Sequence, residues 1–376
     1  MTTDQRAMIS DSLSSFVANH TDFTRLRALR NKAPGYDKAL LDSAVHLGWI
    51  RHVVPEEHGG SGGSFAEMAL IVETLGTGLL GEPLAPVVMA ARALVHSSNE
   101  ALKAALLPKV CAGTLTPALA WTEDRHGPGD AACVLTEAGG GLRLRGKKRF
   151  VAGAGAAGTF LVTAKRKGEI ALVLVEGDAP GVTLDYEWRA DGTAFGSLSF
   201  HDVALETSRI VQAAGARAVV QRALDEGAVL ASAELLGLMR GAYARTLDYM
   251  RNRVQYGRPI GSFQALQHRA VDLFIQQELT ASVLADAVRA IDGGKSGPQL
   301  QKLAVRAKAR ASHAAMLVTQ ECVQFHGAQG IADENPIGLY LKRALVLSAW
   351  LGNARTQRRR FAELNRSATQ SHGMLA

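Results

Sequence analysis

The hydrophobic period changes twice along this chain, and that double change constrains the fold more than any other feature. From about Asp4 to Ala112, apolar residues recur at three- and four-residue intervals, as in "YDKALLDSAVHLGWI". That spacing gathers them on one face of a helix. A glycine-rich stretch, "VPEEHGGSGGS" from Val54 to Ser64, interrupts the pattern and predicts a loop. From Pro117 to about Arg209 the period shortens. "GLRLRGKKRFVAG", "GTFLVTAK" and "EIALVLVEG" alternate or run apolar over a few residues, with glycine between them. This is the pattern of a small β domain of about seven strands. Helical spacing returns from about Val211 to Leu364 in four long segments, roughly 213–253, 263–291, 297–324 and 336–364. They predict an antiparallel four-helix bundle. Zones this segregated argue for an α+β architecture rather than an alternating, doubly wound sheet. The expected domains are an N-terminal helical domain at 1–115, a β-barrel-like domain at 116–210 and the bundle at 211–376.

With 376 residues, 47% of them apolar, the chain is long enough to bury the cores of such domains. No apolar run reaches the ~18–20 residues of a membrane helix. The opening "MTTDQRAMISDSLSSF" carries an acid early and lacks the apolar core of an export signal. Cys111, Cys133 and Cys322 are odd in number and far apart, which predicts a reducing, cytoplasmic setting without a disulfide framework. No Cys/His cluster has zinc-ligand spacing, so no metal is expected. A net charge of +7 is compatible with nucleic acid, with an anionic cofactor or simply with a solvated surface. The densest basic run, "RTQRRRF" from Arg355 to Phe361, has no aromatic platform or nucleic-acid module around it. It reads as a solvated helix end, and neither a nucleic-acid nor a membrane partner is expected.

The segment "RNRVQYGRPIGSFQ", Arg251 to Gln264, joins two of the long helical runs. Gly257 and Pro259 suffice to turn one helix into the next. The segment nevertheless concentrates a guanidinium, amides and a tyrosine. Arg253 offers a planar fork suited to phosphate oxygens, and Gln255 and Gln264 offer neutral donors.

This segment and two others resemble the acyl-CoA dehydrogenase family. "RNRVQYGRPIGSFQALQHRAVDL" is similar to its R-x-Q-F-G signature with the following P-I and Q. "PEEHGGSGGSFAEMALIVETLG" resembles its N-terminal loop and helix, and "QFHGAQGIADENPIGLYLKRA" its late H-G-G-x-G segment. The three fall in the family's order and spacing over nearly the whole chain. The resemblance implies FAD as cofactor, an acyl-CoA thioester as substrate and an acceptor such as electron-transfer flavoprotein. It also implies a dimer or tetramer in which Arg253, Gln255, Tyr256, Gln264 and Gln324 reach the flavin of a neighbouring subunit, with Gly327 also at the cofactor. "ALAWTEDRHGPGD" resembles the family's T-E-P-x-x-G-S-D loop, which puts Leu119, Trp121 and Thr122 against the flavin ring. Phe150, in "GKKRFVAGAG", takes the usual stacking aromatic's place. The match loosens here. The loop is one residue longer, no serine precedes Asp130, and Ala152 stands where a hydroxyl is expected.

The family's reaction needs a carboxylate to remove the proton α to the thioester, desolvated enough to be basic near neutrality. Leu351 holds the usual position of that base, and Gly227 holds the position that a minority of the family uses. Neither can accept a proton. Glu226 is one residue off, about 100° round the helix. Glu234 lies nearly two turns beyond Gly227 on the same face, among Leu230, Gly237 and Leu238. That makes Glu234 the candidate base. The other reading is that it pairs with a core arginine or lies at a subunit contact. A related alternative concerns the whole chain. Some members are α2β2 assemblies in which one paralogue carries the base and the other completes the FAD site. A chain that keeps the across-interface set and loses the in-site groups fits the supporting role. A third, different class is a nucleic-acid- or protein-interaction module built on the same fold. Small residues at Ala228, Ala231, Ser232, Ala233, Gly237 and Gly241 allow either close helix packing or a wide acyl pocket.

Overall fold

The computed structural model describes residues 3–81, 83–124 and 130–373. Six helices come first: α1 (Thr3–His20), α2 (Phe23–Leu29), α3 (Lys38–His46), α4 (Phe65–Thr77), α5 (Leu84–Val95) and α6 (Glu100–Cys111). Eight strands follow: β1 (Pro117–Ala120), β2 (Val134–Ala138), β3 (Gly141–Val151), β4 (Thr159–Arg166), β5 (Glu169–Glu176), β6 (Val182–Trp188), β7 (Ala194–Leu205) and β8 (Ile210–Gln212). The chain then returns to helices: α7 (Ala216–Asn252), α8 (Gln264–Asp292), α9 (Gly297–His326), α10 (Ile337–Ala349) and α11 (Ala354–Gly373). A two-stranded hairpin, β9 (Val254–Gln255) with β10 (Arg258–Pro259), separates α7 from α8. No helix among the described residues is long and apolar enough to cross a membrane. The α+β arrangement of helices, β domain and helices is therefore as expected.

Two compact units emerge, one of residues 25–64 and 82–227, the other of residues 1–24, 65–81 and 228–376. The first holds the sheet, with strand order β6-β7-β3-β2-β4-β5-β8 and β1 paired in parallel with β4. Its core is apolar in the inward register: Leu142 and Leu144 of β3, Phe160 and Val162 of β4, Val173 and Val175 of β5, Leu198 and Phe200 of β7. Each such side chain contributes roughly 1.5–3 kcal/mol by leaving water. One inward position breaks the rule, because Lys148 of β3 is fully buried.

In the second unit α9 packs against α8, α10 and α11. The N-terminus of α4 is capped from far along the sequence: Asp292, the last residue of α8, accepts from the Phe65 and Ala66 N–H groups at 2.6 and 3.1 Å. Helices α4 and α7 meet through small residues. A Cβ at Gly237 would lie 1.9 Å from the Glu73 carbonyl oxygen, and one at Gly241 2.3 Å from that of Thr77. These two small residues of α7 serve close packing rather than a pocket.

The fourth expected bundle helix is two helices. α10 ends at Ala349, and Leu351 turns the chain with φ +58°, followed by Gly352 at +95°. The turn is held from both sides. Gln357 Nε2 donates to the Leu351 carbonyl at 2.5 Å. The buried Lys308 Nζ lies within hydrogen-bonding distance of the carbonyls of Leu347, Ser348 and Gly352 at 2.9–3.3 Å and of Ser312 Oγ at 2.8 Å. These carbonyls are acceptors that a helix end leaves without an intrahelical partner. Asn353 Oδ1 then accepts from the Thr356 N–H and starts α11.

Candidate functional site

The helix-joining segment is a hairpin. Gln255 pairs with Arg258 and Val254 with Pro259. The two residues at its tip, Tyr256 and Gly257, have φ of +52° and +77°, the paired left-handed conformation of a type I′ turn. Glycine adopts it freely; tyrosine does so at a cost. Every residue from Arg251 to Pro259 is exposed, and Tyr256 presents 94% of its surface. The hairpin's own contacts stiffen it: Arg258 lies 4.3 Å over the Phe263 ring, and Tyr256 meets that ring edge-on. The Arg253 side chain forms no ion pair or hydrogen bond among the described residues. Gln264 opens α8, and Phe263 caps that helix without a side-chain hydrogen bond. The Leu266 and Gln267 N–H groups donate to the Phe263 carbonyl, so the start of this 29-residue helix keeps the Gln264 and Ala265 N–H groups and its positive dipole end available.

Gln324 is exposed on the last turn of α9, and Gly327 ends that helix with φ +58° and ψ −141°, a region that side chains avoid. His326 is buried beside it. Its Nδ1–H donates to the Cys322 carbonyl at 2.8 Å, which leaves Nε2 as an acceptor in the neutral ring. Burial lowers its pKa, so the positional role expected for it suits its surroundings. Tyr249 links the two motifs. Its carbonyl accepts the Arg253 N–H at 2.8 Å. Its ring stacks on His326 at 4.3 Å, and its hydroxyl donates to Gln329 Oε1 at 3.2 Å. Arg253, Gln255, Tyr256 and Gln264 are thereby brought to the same end of one unit as Gln324 and Gly327.

The ring-facing candidates belong to the sheet unit. Leu119 is buried on β1, and Trp121 and Thr122 follow it half-buried. The Thr122 carbonyl accepts the Arg149 N–H at 2.9 Å. Phe150 sits where the β3–β7 register shifts between Lys148 and Val151, with φ +56° and 39% of its surface exposed. A phenylalanine held in the left-handed region costs on the order of 1–3 kcal/mol and persists only where its surroundings over-determine it. Those surroundings are Arg149, 4.5 Å over the ring, and Phe195, edge-on at 6.2 Å. Ala152 is buried and brings no hydroxyl. Residues 125–129, where the loop departs from the family pattern, lie outside the described residues, as does His126.

Both acids near the expected base positions are engaged. Glu234 is 2% exposed. Its Oε1 accepts from Arg343 Nε and from a terminal guanidinium nitrogen at 2.9 and 2.7 Å. Its carboxyl also lies so close to Gly81 that a Cβ there would be 2.8 Å away. The pairing with a core arginine is the arrangement found. Glu226 is fully buried. Arg92 grips it with two bonds of 2.8 and 3.0 Å, His96 Nε2 donates at 2.9 Å and Arg222 Nε at 2.7 Å. Burial alone would raise its pKa; the bonds from His96 and Arg92 outweigh that and hold it far below the carboxylate range. Leu351 is half-buried in its turn. Sequence reasoning missed Arg92, His96, Arg222 and Arg343, which carry no motif. It also missed the Glu123–Lys148 pair, although a lysine in an otherwise apolar strand register marked it.

Three family models match the chain in order: the N-terminal domain of acyl-CoA dehydrogenase over residues 3–114, the middle domain over 118–203 and the C-terminal domain over 213–364. Acyl-CoA dehydrogenase IpdE2 of Mycobacterium tuberculosis is 30% identical over 91% of this chain and 91% of its own length. Among solved structures, the Tcur3481–Tcur3483 steroid ACAD superposes with a TM-score of 0.88 at 27% identity, covering 98% of this chain and 99% of that one. Butyryl-CoA dehydrogenase of Megasphaera elsdenii superposes with a TM-score of 0.87 at 26% identity, covering 96% and 98%. With every zone of the chain matched in order, this protein belongs to the acyl-CoA dehydrogenase family, oxidoreductases that act on CH–CH bonds.

Proposed function

We propose that this chain takes part in FAD-dependent α,β-dehydrogenation of an acyl-CoA thioester, as a subunit that shares its flavin site with a neighbour. The observation that carries the reading is the exposed donor array at the α7–α8 junction, tied by Tyr249 to the turn after α9. The residues present fit a dinucleotide. Arg253 suits a pyrophosphate, the uncapped start of α8 favours an anion, and Tyr256 offers a face to an adenine. In the sheet unit Thr122 would meet the polar edge of the isoalloxazine and Phe150 its face. The flavin, when bound, supplies the hydride acceptor at N5. An apolar strip on α8 also supports assembly. Val271, Phe274, Ile275 and Leu279 are exposed, and Ile275 and Leu317 line a groove of about 320 Å³ flanked by the Arg269–Glu321 ion pair.

A second reading draws on the carboxylates. Leucine and glycine stand at the two base positions, and Glu226 and Glu234 are both held by arginines. A proton acceptor supplied by a paralogous subunit accounts for this pattern, and this chain would then complete the partner's FAD site. The test is anaerobic titration of the purified chain with a panel of acyl-CoA thioesters while the visible flavin band is followed. Bleaching by the chain alone establishes a self-sufficient dehydrogenase. Bleaching only after a co-encoded paralogue is added establishes the supporting role. A colourless protein that retains no flavin under either condition overturns both and leaves the interaction-module alternative.

A further inference from the structure

The sheet unit contains a buried ion pair that adjoins two of the groups assigned to the flavin. Lys148 is fully buried and Glu123 is 7% exposed. Lys148 Nζ donates to Glu123 Oε1 at 2.5 Å and to Thr163 Oγ1 at 2.9 Å. The same carboxylate accepts the Ala132 N–H at 2.6 Å and the Cys133 N–H at 3.1 Å. One side chain therefore closes the long loop between β1 and β2 at its base, joining residue 123 to residues 132 and 133, and anchors that base to the middle of β3.

The two ends of this clamp adjoin the ring-facing residues. Glu123 follows Thr122 directly. Lys148 is the last residue in regular register before the irregularity that carries Arg149 and strained Phe150. A backbone bond from the Arg149 N–H to the Thr122 carbonyl, 2.9 Å, runs alongside. Burial opposes a charged Glu123, but the bonds from Lys148 and from the Ala132 N–H outweigh it, and its pKa is lowered. The Glu123 carboxylate is thus ionised. As a source of stability alone the pair has little rationale, since an apolar pair of similar volume typically does as well or better. A fixed ionic contact does set distance and direction, and an apolar contact would leave both loose.

We propose that Glu123 and Lys148 are positioning residues for the flavin-facing edge, setting Thr122 against Phe150 without contacting the ring. This rests on the functional reading above. The test is the full-length double variant Glu123→Gln/Lys148→Met, which leaves no unpaired charge, purified with its partner subunit where one co-purifies. The expected result is a thermal midpoint close to the parent's. FAD binding is weakened about tenfold or more, the scale of a misplaced supporting shell, and the bound flavin's visible band loses vibrational fine structure. FAD affinity within about twofold of the parent, with an unchanged band, overturns the proposal. Should the double variant fail to fold, Thr163→Val gives the decision, because it removes only the neutral acceptor of Lys148. A weaker FAD complex with the fold intact supports the proposal, and unchanged affinity and spectrum overturn it. A parent protein that binds no FAD at all overturns the functional reading, and this proposal with it.

Discussion

The helix α7 and the junction that follows it treat charge in opposite ways. Two glutamates of α7 are inside: Glu226 is enclosed by Arg92, His96 and Arg222, and Glu234 is paired with Arg343. Past its end the donors are outside: Arg253, Gln255 and Gln264 face solvent. The Glu226 carboxylate is committed to the fold, because both its oxygens are bonded and its pKa is lowered. An exposed guanidinium on a stiff hairpin contributes little to the fold and keeps its donors open to solvent. The comparison separates what this chain uses to hold itself together from what it offers to a ligand or neighbour.

The harshest way to break that comparison is Glu226→Gln. It leaves two arginines around a neutral group in a buried site, and removing one member of such a pair costs about 3–5 kcal/mol. Denaturant unfolding should show that loss above neutral pH. Acid should erode the same contribution in the parent. The carboxylate's pKa is lowered on folding, so its stabilisation is present above the unfolded carboxylate's pKa and disappears as pH falls through the folded one. A variant within 0.5 kcal/mol of the parent, the ordinary range for a surface substitution, would mean that the cage is not committed to the fold.

A cation inside the bundle gives the next largest effect. Burial pulls Lys308 from its ordinary 10.5 down to about 7. The unfolded chain therefore binds one more proton than the folded one between those values, and stability rises with pH across that window. From pH 7 to 9 the gain is on the order of 2 kcal/mol, at 1.36 kcal/mol per unit. Higher still the trend reverses in part, because Cys133 and Cys322 are pushed up to about 12 by burial and hold their protons in the folded state. Lys308→Met should flatten the rise between pH 7 and 9, as read by unfolding at each pH. A slope that survives the substitution would assign it to other groups. Gly237→Ala comes next, at about 1–3 kcal/mol, because the added methyl must push the α4 backbone away from α7.

Much of this was legible from one-dimensional pattern. The switch of hydrophobic period announced the helix–sheet–helix order, because burial on one face of an element imposes its own repeat. The break between α10 and α11 was written as Gly352–Asn353, a stop followed by a cap, and was overlooked inside a long apolar run. Gly257 and Pro259 announced a turn, but the two-residue hairpin tip Tyr256–Gly257 did not stand out, since a type I′ pair usually has Asn or Asp before the glycine. Arg222 stands four residues before Glu226 on the same helix, a spacing that local pattern can supply, but the distant partners of Glu226 and Glu234 could not be read. Arg92 is 134 residues from Glu226 and Arg343 is 109 from Glu234, and no local pattern encodes which distant arginine meets which acid.

The smallest expected effect on folding sharpens the comparison most. Arg253→Ala removes a side chain with no partner among the described residues, so its cost in stability should stay within about 0.5 kcal/mol. If the junction is a phosphate clamp, the same substitution should release flavin, because a lost charge-assisted contact of about 1.5–3 kcal/mol corresponds to a tenfold or greater loss of affinity. The lost affinity should also depend on salt, since the interaction is between exposed charges. Equilibrium dialysis of FAD at low and high ionic strength, with unfolding curves on the same samples, reads both quantities. Unchanged stability with weakened, salt-sensitive binding would place Arg253 on the ligand side of the comparison. Unchanged stability with unchanged binding would leave the exposed hairpin without the role that its donors imply, and the dinucleotide would then have to be sought at another surface of the chain.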